Sequence, residues 1–125
     1  MLLVKTYLDR SSIHGIGLFA AERIAKGTVI WRRSPEIDLL LEPAQLDRLA
    51  PPAREQIEKY TYLDRHLGKL VLCGDDARFF NHAAEPNCHD LPDADGGTTV
   101  AARAIEIGEE LTSDYASFDA NPREP

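Results

Sequence analysis

"ARFFNHAAEPNCHD", residues 77–90, is the stretch from which the rest of the chain is read. Two phenylalanines lead straight into Asn81-His82, and after Ala83-Ala84 the chain turns through Glu85-Pro86-Asn87-Cys88. An amide and an imidazole beside large apolar groups each cost roughly 1–3 kcal/mol if taken out of water without partners. Asn81 and His82 therefore need hydrogen-bonding groups brought from elsewhere in the chain, or a ligand.

The 125 residues are enough for one domain with a real core, and the whole chain (1–125) is read as that domain. Apolar content of 43% and charged content of 28% are those of an ordinary soluble globular protein. With 14 Lys+Arg against 21 Asp+Glu the net charge is -7. Such a surface repels nucleic-acid phosphates and favours Lys/Arg-rich partners, and it also serves solubility. Direct nucleic-acid binding is not expected. Cys73 and Cys88 form no CxxC pair, which fits a reducing compartment and excludes a disulfide scaffold. The N-terminal MLLVKTYLDR has too short an apolar run for a signal peptide, and no later segment reaches membrane-spanning length. The expected location is the cytoplasm, or the nucleus if the source is a eukaryote or a eukaryotic virus.

Strand-like segments dominate and are short: Leu2 to Leu8, Gly17 to Ala21, Thr28 to Arg32, Ile37 to Leu41, Leu70 to Cys73 and Thr98 to Ala102. Between them, EPAQLDRLAPPAREQIEKY suits two short helices, with Pro43 and Pro51-Pro52 in first turns. The chain also echoes itself. Residues 20–30 (AAERIAKGTVI) and 101–111 (AARAIEIGEEL) share Ala-Ala, the Ile, the Gly and a final aliphatic residue at matching places. Either strand-turn-strand units simply look alike, or the fold is built from two similar halves.

Two further patches carry chemistry. In His14-Gly15-Ile16-Gly17-Leu18-Phe19-Ala20, paired glycines allow close backbone approach to a ligand or an ordinary hairpin turn. The dinucleotide fingerprint is excluded, because Ala20 replaces its third glycine and strand, not helix, follows. The other patch is Gly108-Glu109-Glu110-Leu111-Thr112-Ser113-Asp114-Tyr115, where Tyr115 taken alone suits capping a core, the commoner fate of a tyrosine.

In order and spacing, HGIGLFA with its Lys26-Gly27 turn, RFFNHAAEPNC and GEELTSDY resemble the SET-domain protein lysine methyltransferases, over nearly the whole chain. The resemblance implies a mostly β, β-clip-like SET fold with short helices, and a knot-like crossing of the Asn-His and Asp-Tyr segments near the C-terminus. It implies S-adenosylmethionine as cofactor. Asn81 would bond its amino-acid end, and the Asn81–His82 backbone would face its adenine. His14 and the Gly15-Ile16-Gly17 backbone would wrap its methionine part. Arg78, Phe79 and Tyr60 would support the same wall, Phe118 would stack on adenine, and His82 would tie the crossing segments together. Tyr115 would be the catalytic residue. Tyr60, Tyr62, Ser113 and Tyr115 would line a lysine channel, Tyr62 being as well suited to core packing. The substrate would be a lysine-containing basic protein or peptide.

Three departures from the family pattern stand out. Ala83-Ala84 follow Asn-His where relatives place serine and cysteine. Ser113 stands where a tyrosine or phenylalanine usually limits how many methyl groups fit. Cys88 matches a zinc-binding cysteine, yet no later cysteine accompanies it, so no metal is expected. Without a later cysteine cluster the resemblance implies a channel wall that the substrate or a second copy of the chain would complete. A SET-fold module that binds cofactor or partner without catalysis is the alternative.

Overall fold

The computed structural model describes residues 1–91 and 97–114. Its regular structure is mostly short strands: β1 (Thr6–Arg10), β2 (Ile16–Ala20), β3 (Val29–Arg32), β4 (Leu39–Leu41), β5 (Thr61–Leu63), β6 (Leu70–Leu72), β7 (Asn81–His82), β8 (Cys88–Leu91), β9 (Thr98–Ala101) and β10 (Thr112–Ser113). One helix, α1 (Pro51–Tyr60), and two 3-10 turns, Pro43–Arg48 and Asp76–Phe79, interrupt them. The strands form the antiparallel pair β1-β2, the three-stranded sheets β3-β9-β8 and β4-β6-β5, and the parallel pair β10-β7.

The internal echo is a structural one. Ile24 and Ile105 exchange both backbone hydrogen bonds at 2.8 Å, as residues on a local two-fold axis would. On one side Gly27 N–H donates to the Ala101 carbonyl at 2.8 Å; on the other Gly108 N–H donates to Ala20 at 2.9 Å. Ala101 N–H in turn donates to Thr28, and Ala20 N–H to Glu109, both at 2.9 Å. The bridge Phe19↔Glu110 is thus the counterpart of the pair Val29↔Val100. Both turn glycines sit in the left-handed region, Gly27 at φ 84° and Gly108 at φ 89°, where a side chain would be strained. The antiparallel pairs β1-β2 and β8-β9 occupy corresponding places in the two halves.

Burial follows from this arrangement. Leu18, Ile24, Ile30, Ile105 and Leu111 are at most 2% exposed and pack into one cluster around the axis, with Phe79 and Phe80 against it. A second cluster of Trp31, Val71, Cys73 and Ala77 joins the β4-β6-β5 sheet to β3. Under that sheet the buried Asp38 carboxylate accepts from Ser34 N–H at 2.8 Å and Gly74 N–H at 3.1 Å, and pairs with the Met1 amino group at 2.6 Å. A Cβ on Gly74 would lie 1.9 Å from the Ile37 carbonyl oxygen, so the backbones touch there.

Some segments differ from the sequence expectation. The apolar run Leu2 to Leu8 is split: Leu2 and Leu3 pair with β3, and β1 begins only at Thr6. The first helical segment, Pro43–Arg48, is a 3-10 turn, closed by Glu42 N–H donating to Gln45 Oε1 at 2.7 Å. Helix α1 buries none of its residues, Ile57 included. It is a spacer that delivers Tyr60 and Thr61 to the edge of the sheet, capped by Thr61 Oγ1 donating to the Ile57 carbonyl at 2.9 Å. Among the described residues no helix is long and apolar enough to cross a membrane.

Candidate functional site

Asn81 is 4% exposed and does not lack partners. Its Nδ2 donates to Glu110 Oε2 at 2.8 Å, the His14 carbonyl at 3.0 Å and Ser11 Oγ at 3.1 Å. Three distant segments meet at this one amide: the loop between β1 and β2, strand β7, and the strand leading into β10. The meeting is enforced by the parallel pairing of Thr112 with Asn81 and Ser113 with His82, extended by Ala83 N–H donating to the Ser113 carbonyl at 3.0 Å. His82 Nδ1 lies 3.7 Å from Asp114 Oδ1, so the Asn-His and Ser-Asp segments also meet through side chains.

The loop is shaped by Ser11. Its hydroxyl accepts from Ile13 N–H at 2.9 Å and His14 N–H at 3.2 Å, and donates to Glu110 Oε1 at 2.8 Å. Gly15 follows at φ 48°, with nothing within 4 Å of where a Cβ would stand, and Ser11 N–H closes the turn on the Gly15 carbonyl at 2.8 Å. Gly17 is the opposite case. A Cβ there would come 2.5 Å from Glu110 Oε2, so hydrogen alone leaves room for the carboxylate. His14 and Ile16 side chains are exposed beside this backbone.

Next to it, Asp75 caps the Asp76–Phe79 turn by accepting from Ala77 N–H at 3.0 Å. The turn aims Arg78 and Phe79 at Tyr60: the guanidinium lies 5.1 Å from the ring centroid, and the Phe79 ring meets it edge-on at 6.0 Å. Arg78 is also held by its guanidinium donating to the Cys73 carbonyl at 2.8 Å. Tyr60, Arg78 and Phe79 are therefore one wall. Tyr62 stands apart from them, packed against the Trp31–Val71–Cys73–Ala77 cluster, where burial pushes its phenol well above its ordinary range. Ser113 is 2% exposed and lies opposite His82. Tyr115 and Phe118 lie outside the described residues.

Three residues that hold the site together have no role assigned from the sequence. Ser11 and Glu110 look like surface polar residues in the sequence. Only the strand crossing makes them partners of Asn81. Asn87, 5% exposed, was legible only as part of the Pro-Asn turn. Its Nδ2 donates to the Glu110 carbonyl at 2.8 Å and its Oδ1 accepts from Thr112 N–H at 2.9 Å, so it holds the Glu110 strand in register. Cys88 lies beneath it, 1% exposed, and desolvation pushes its thiol up to about 12.

Residues 15–116 match the SET domain family. The chain belongs to that family. It is 31% identical over 117 residues to human histone-lysine N-methyltransferase 2D, covering 90% of this chain and 2% of that protein. To the histone-lysine N-methyltransferase ash1 of Drosophila melanogaster it is 37% identical over 119 residues, covering 88% of this chain and 5% of the other. This SET domain thus spans only a small fraction of these relatives' length. Its backbone also resembles that of ctPRC2 solved in an autoinhibited conformation bound to S-adenosylmethionine, with a TM-score of 0.69 and 21% identity, over 94% of this chain and 16% of that one. That likeness bears on the fold, and the mostly β SET architecture stands. Among the described residues of the SET domain no group of three or more His, Cys, Asp or Glu could hold a metal ion.

Proposed function

We propose that this SET domain transfers methyl groups from S-adenosylmethionine to lysine side chains of a basic protein or peptide. The observation that carries the reading is the convergence on Asn81 of the Gly15-Ile16-Gly17 loop and the strand that runs into Ser113 and Asp114. The residues present fit the cofactor. Around Gly15 the backbone is open, and Tyr60, Arg78 and Phe79 form a partly apolar wall.

Asn81 and the His14–Gly17 backbone would hold the amino-acid end, and the Asn81–His82 backbone with Phe118 the adenine. When bound, the cofactor supplies a methyl group on a positively charged sulfonium. What remains for the protein is to present a neutral amine in line with it, so positioning is most of the catalysis. A lysine amine of ordinary pKa about 10.4 loses its proton more easily in an apolar channel beside a positive charge. Tyr60, Ser113 and Tyr115 would form that channel, with Tyr62 backing it from the core and Tyr115 orienting the amine through its hydroxyl. The net charge of -7 suits a basic substrate.

The test is incubation with S-adenosylmethionine and an array of Lys/Arg-rich peptides, read by mass spectrometry for added methyl groups on lysine. Transfer that disappears in Tyr115→Phe, with cofactor affinity retained, is the expected result. Cofactor binding with no transfer to any peptide would make the domain a binding module. Ser113 sharpens the reading. A serine in place of an aromatic ring leaves room for more than one methyl group. Products beyond monomethyl-lysine are expected, and Ser113→Tyr should shift them toward the mono state. Strictly monomethylated product at long times with excess cofactor would point instead to Tyr60 or Tyr62 as the limit.

A further inference from the structure

The hydrogen bonds around Asn81 determine which end of its amide faces a bound molecule. Ser11 gives its hydroxyl proton to the Glu110 carboxylate, 2.8 and 3.0 Å away, and so can only accept from Asn81. The His14 carbonyl and Glu110 Oε2 are acceptors by nature. All three groups therefore require Asn81 to point Nδ2 inward. The reverse orientation would set its carbonyl against a carboxylate. Oδ1 is left facing the other way, and no donor among the described residues reaches it. An amide so fixed accepts a hydrogen bond from a cationic N–H group and cannot donate one to a carboxylate.

We infer that Glu110 is a positioning residue for the cofactor's ammonium group, acting through Asn81. The inference rests on the cofactor reading above. It also gives Gly17 a specific reason: a Cβ there would stand 2.5 Å from Oε2 and 2.8 Å from Cδ of Glu110, displacing the carboxylate that fixes the amide. Glu110 itself touches neither cofactor nor substrate in this account.

The experiment compares two probes, S-adenosylhomocysteine and its analogue lacking the α-amino group, on the wild type and Glu110→Gln by calorimetry. The wild type should prefer the ammonium-bearing probe by about tenfold, the worth of one charge-assisted hydrogen bond. In Glu110→Gln the new amide can offer its own N–H to Asn81, the two orientations become comparable, and the preference should fall at least about fivefold. The analogue's affinity should change less than about twofold, since it makes no use of that oxygen. Equal weakening of both probes would show Glu110 to be structural only and overturn the inference. Failure of the wild type to bind either probe would overturn the cofactor reading and this inference with it. A second readout needs no ligand. The Asn81 side-chain NH2 resonances should be shifted and slowly exchanging in the wild type and should lose both features in Glu110→Gln, which must keep a cooperative melt. Unchanged resonances in the variant would equally overturn the inference.

Discussion

The two halves related by the Ile24–Ile105 axis share a backbone plan and differ in what they do with it. In the first, Glu110 stands opposite Phe19, and two residues on, the bare backbone of Gly17 receives its carboxylate. In the second, Val29 stands opposite Val100, and Thr98 occupies the place of Gly17. One pairing therefore carries a charge, a hydroxyl and an amide, while its counterpart is built for packing. The lesson is that the scaffold does not make the site. A glycine and a glutamate placed across one crossing, with Asn81 brought in by β7, turn a generic strand pair into a polar cradle.

The two halves can be perturbed at several depths. The deepest lies in the segment between the halves, where Gly74 meets the Ile37 backbone. A Cβ 1.9 Å from a carbonyl oxygen cannot be relieved by rotating a side chain. Gly74→Ala should cost at least about 4 kcal/mol or prevent folding, well beyond ordinary overpacking. A urea melt showing near wild-type stability would mean that this contact is not as tight as described.

The symmetry itself is tested at its axis. Ile24 and Ile105 are 2% and 0% exposed in equivalent settings. Each truncation to alanine should cost about 3 kcal/mol, and the two should agree within about 1 kcal/mol. A wide gap in denaturation midpoints would show that the halves pack differently despite matching hydrogen bonds.

Function should be asymmetric where the fold is not. In Gly17→Ala the clash is with the end of a flexible side chain, so the domain should fold but bind S-adenosylhomocysteine at least about tenfold more weakly. Thr98→Ala, at the equivalent place, should leave affinity within about twofold. Equal effects in calorimetry would dissolve the distinction between the halves.

At neutral pH the smallest effect concerns the thiols. Desolvation by burial first, then nearby carboxylates, pushes Cys73 and Cys88 from 9.0 up to about 12. Near pH 8 both stay protonated in the folded protein, so thiol reagents should label neither before unfolding. Because the folded pKa is the raised one, this contribution is fully present below pH 9.0 and is lost as pH rises toward 12. Stability should then fall by up to about 1.4 kcal/mol per pH unit per thiol. Rapid labelling of the native protein would contradict the burial.

Much of this was legible in the sequence, for identifiable reasons. The Lys26-Gly27 turn and short apolar runs mark β2, β3, β4, β6 and β9, and the echo between residues 20–30 and 101–111 is a real axis. Asn81 stands out in the sequence because a strong hydrogen bonder lies beside Phe79 and Phe80 without a local partner. Glu110 and Ser11 were not legible, since a surface-type glutamate acquires meaning only from a glycine far away in the chain. Helix α1 is the opposite case: Pro51-Pro52 locate its start, but nothing in its sequence says that the fold buries none of its residues. Tyr62 shows the same limit, because its neighbour Tyr60 joins the wall while it joins the core.

On the reading proposed above, cofactor binds in one half only, at the charged crossing. Titrating the labelled protein with S-adenosylhomocysteine and following backbone amide and Asn81 side-chain resonances tests it most directly. Large shifts are expected at Gly15, Ile16, Gly17, Asn81 and His82, with Thr98, Thr99 and Val100 unmoved. Saturating ligand that leaves the first group unmoved, or that shifts both groups alike, would contradict it.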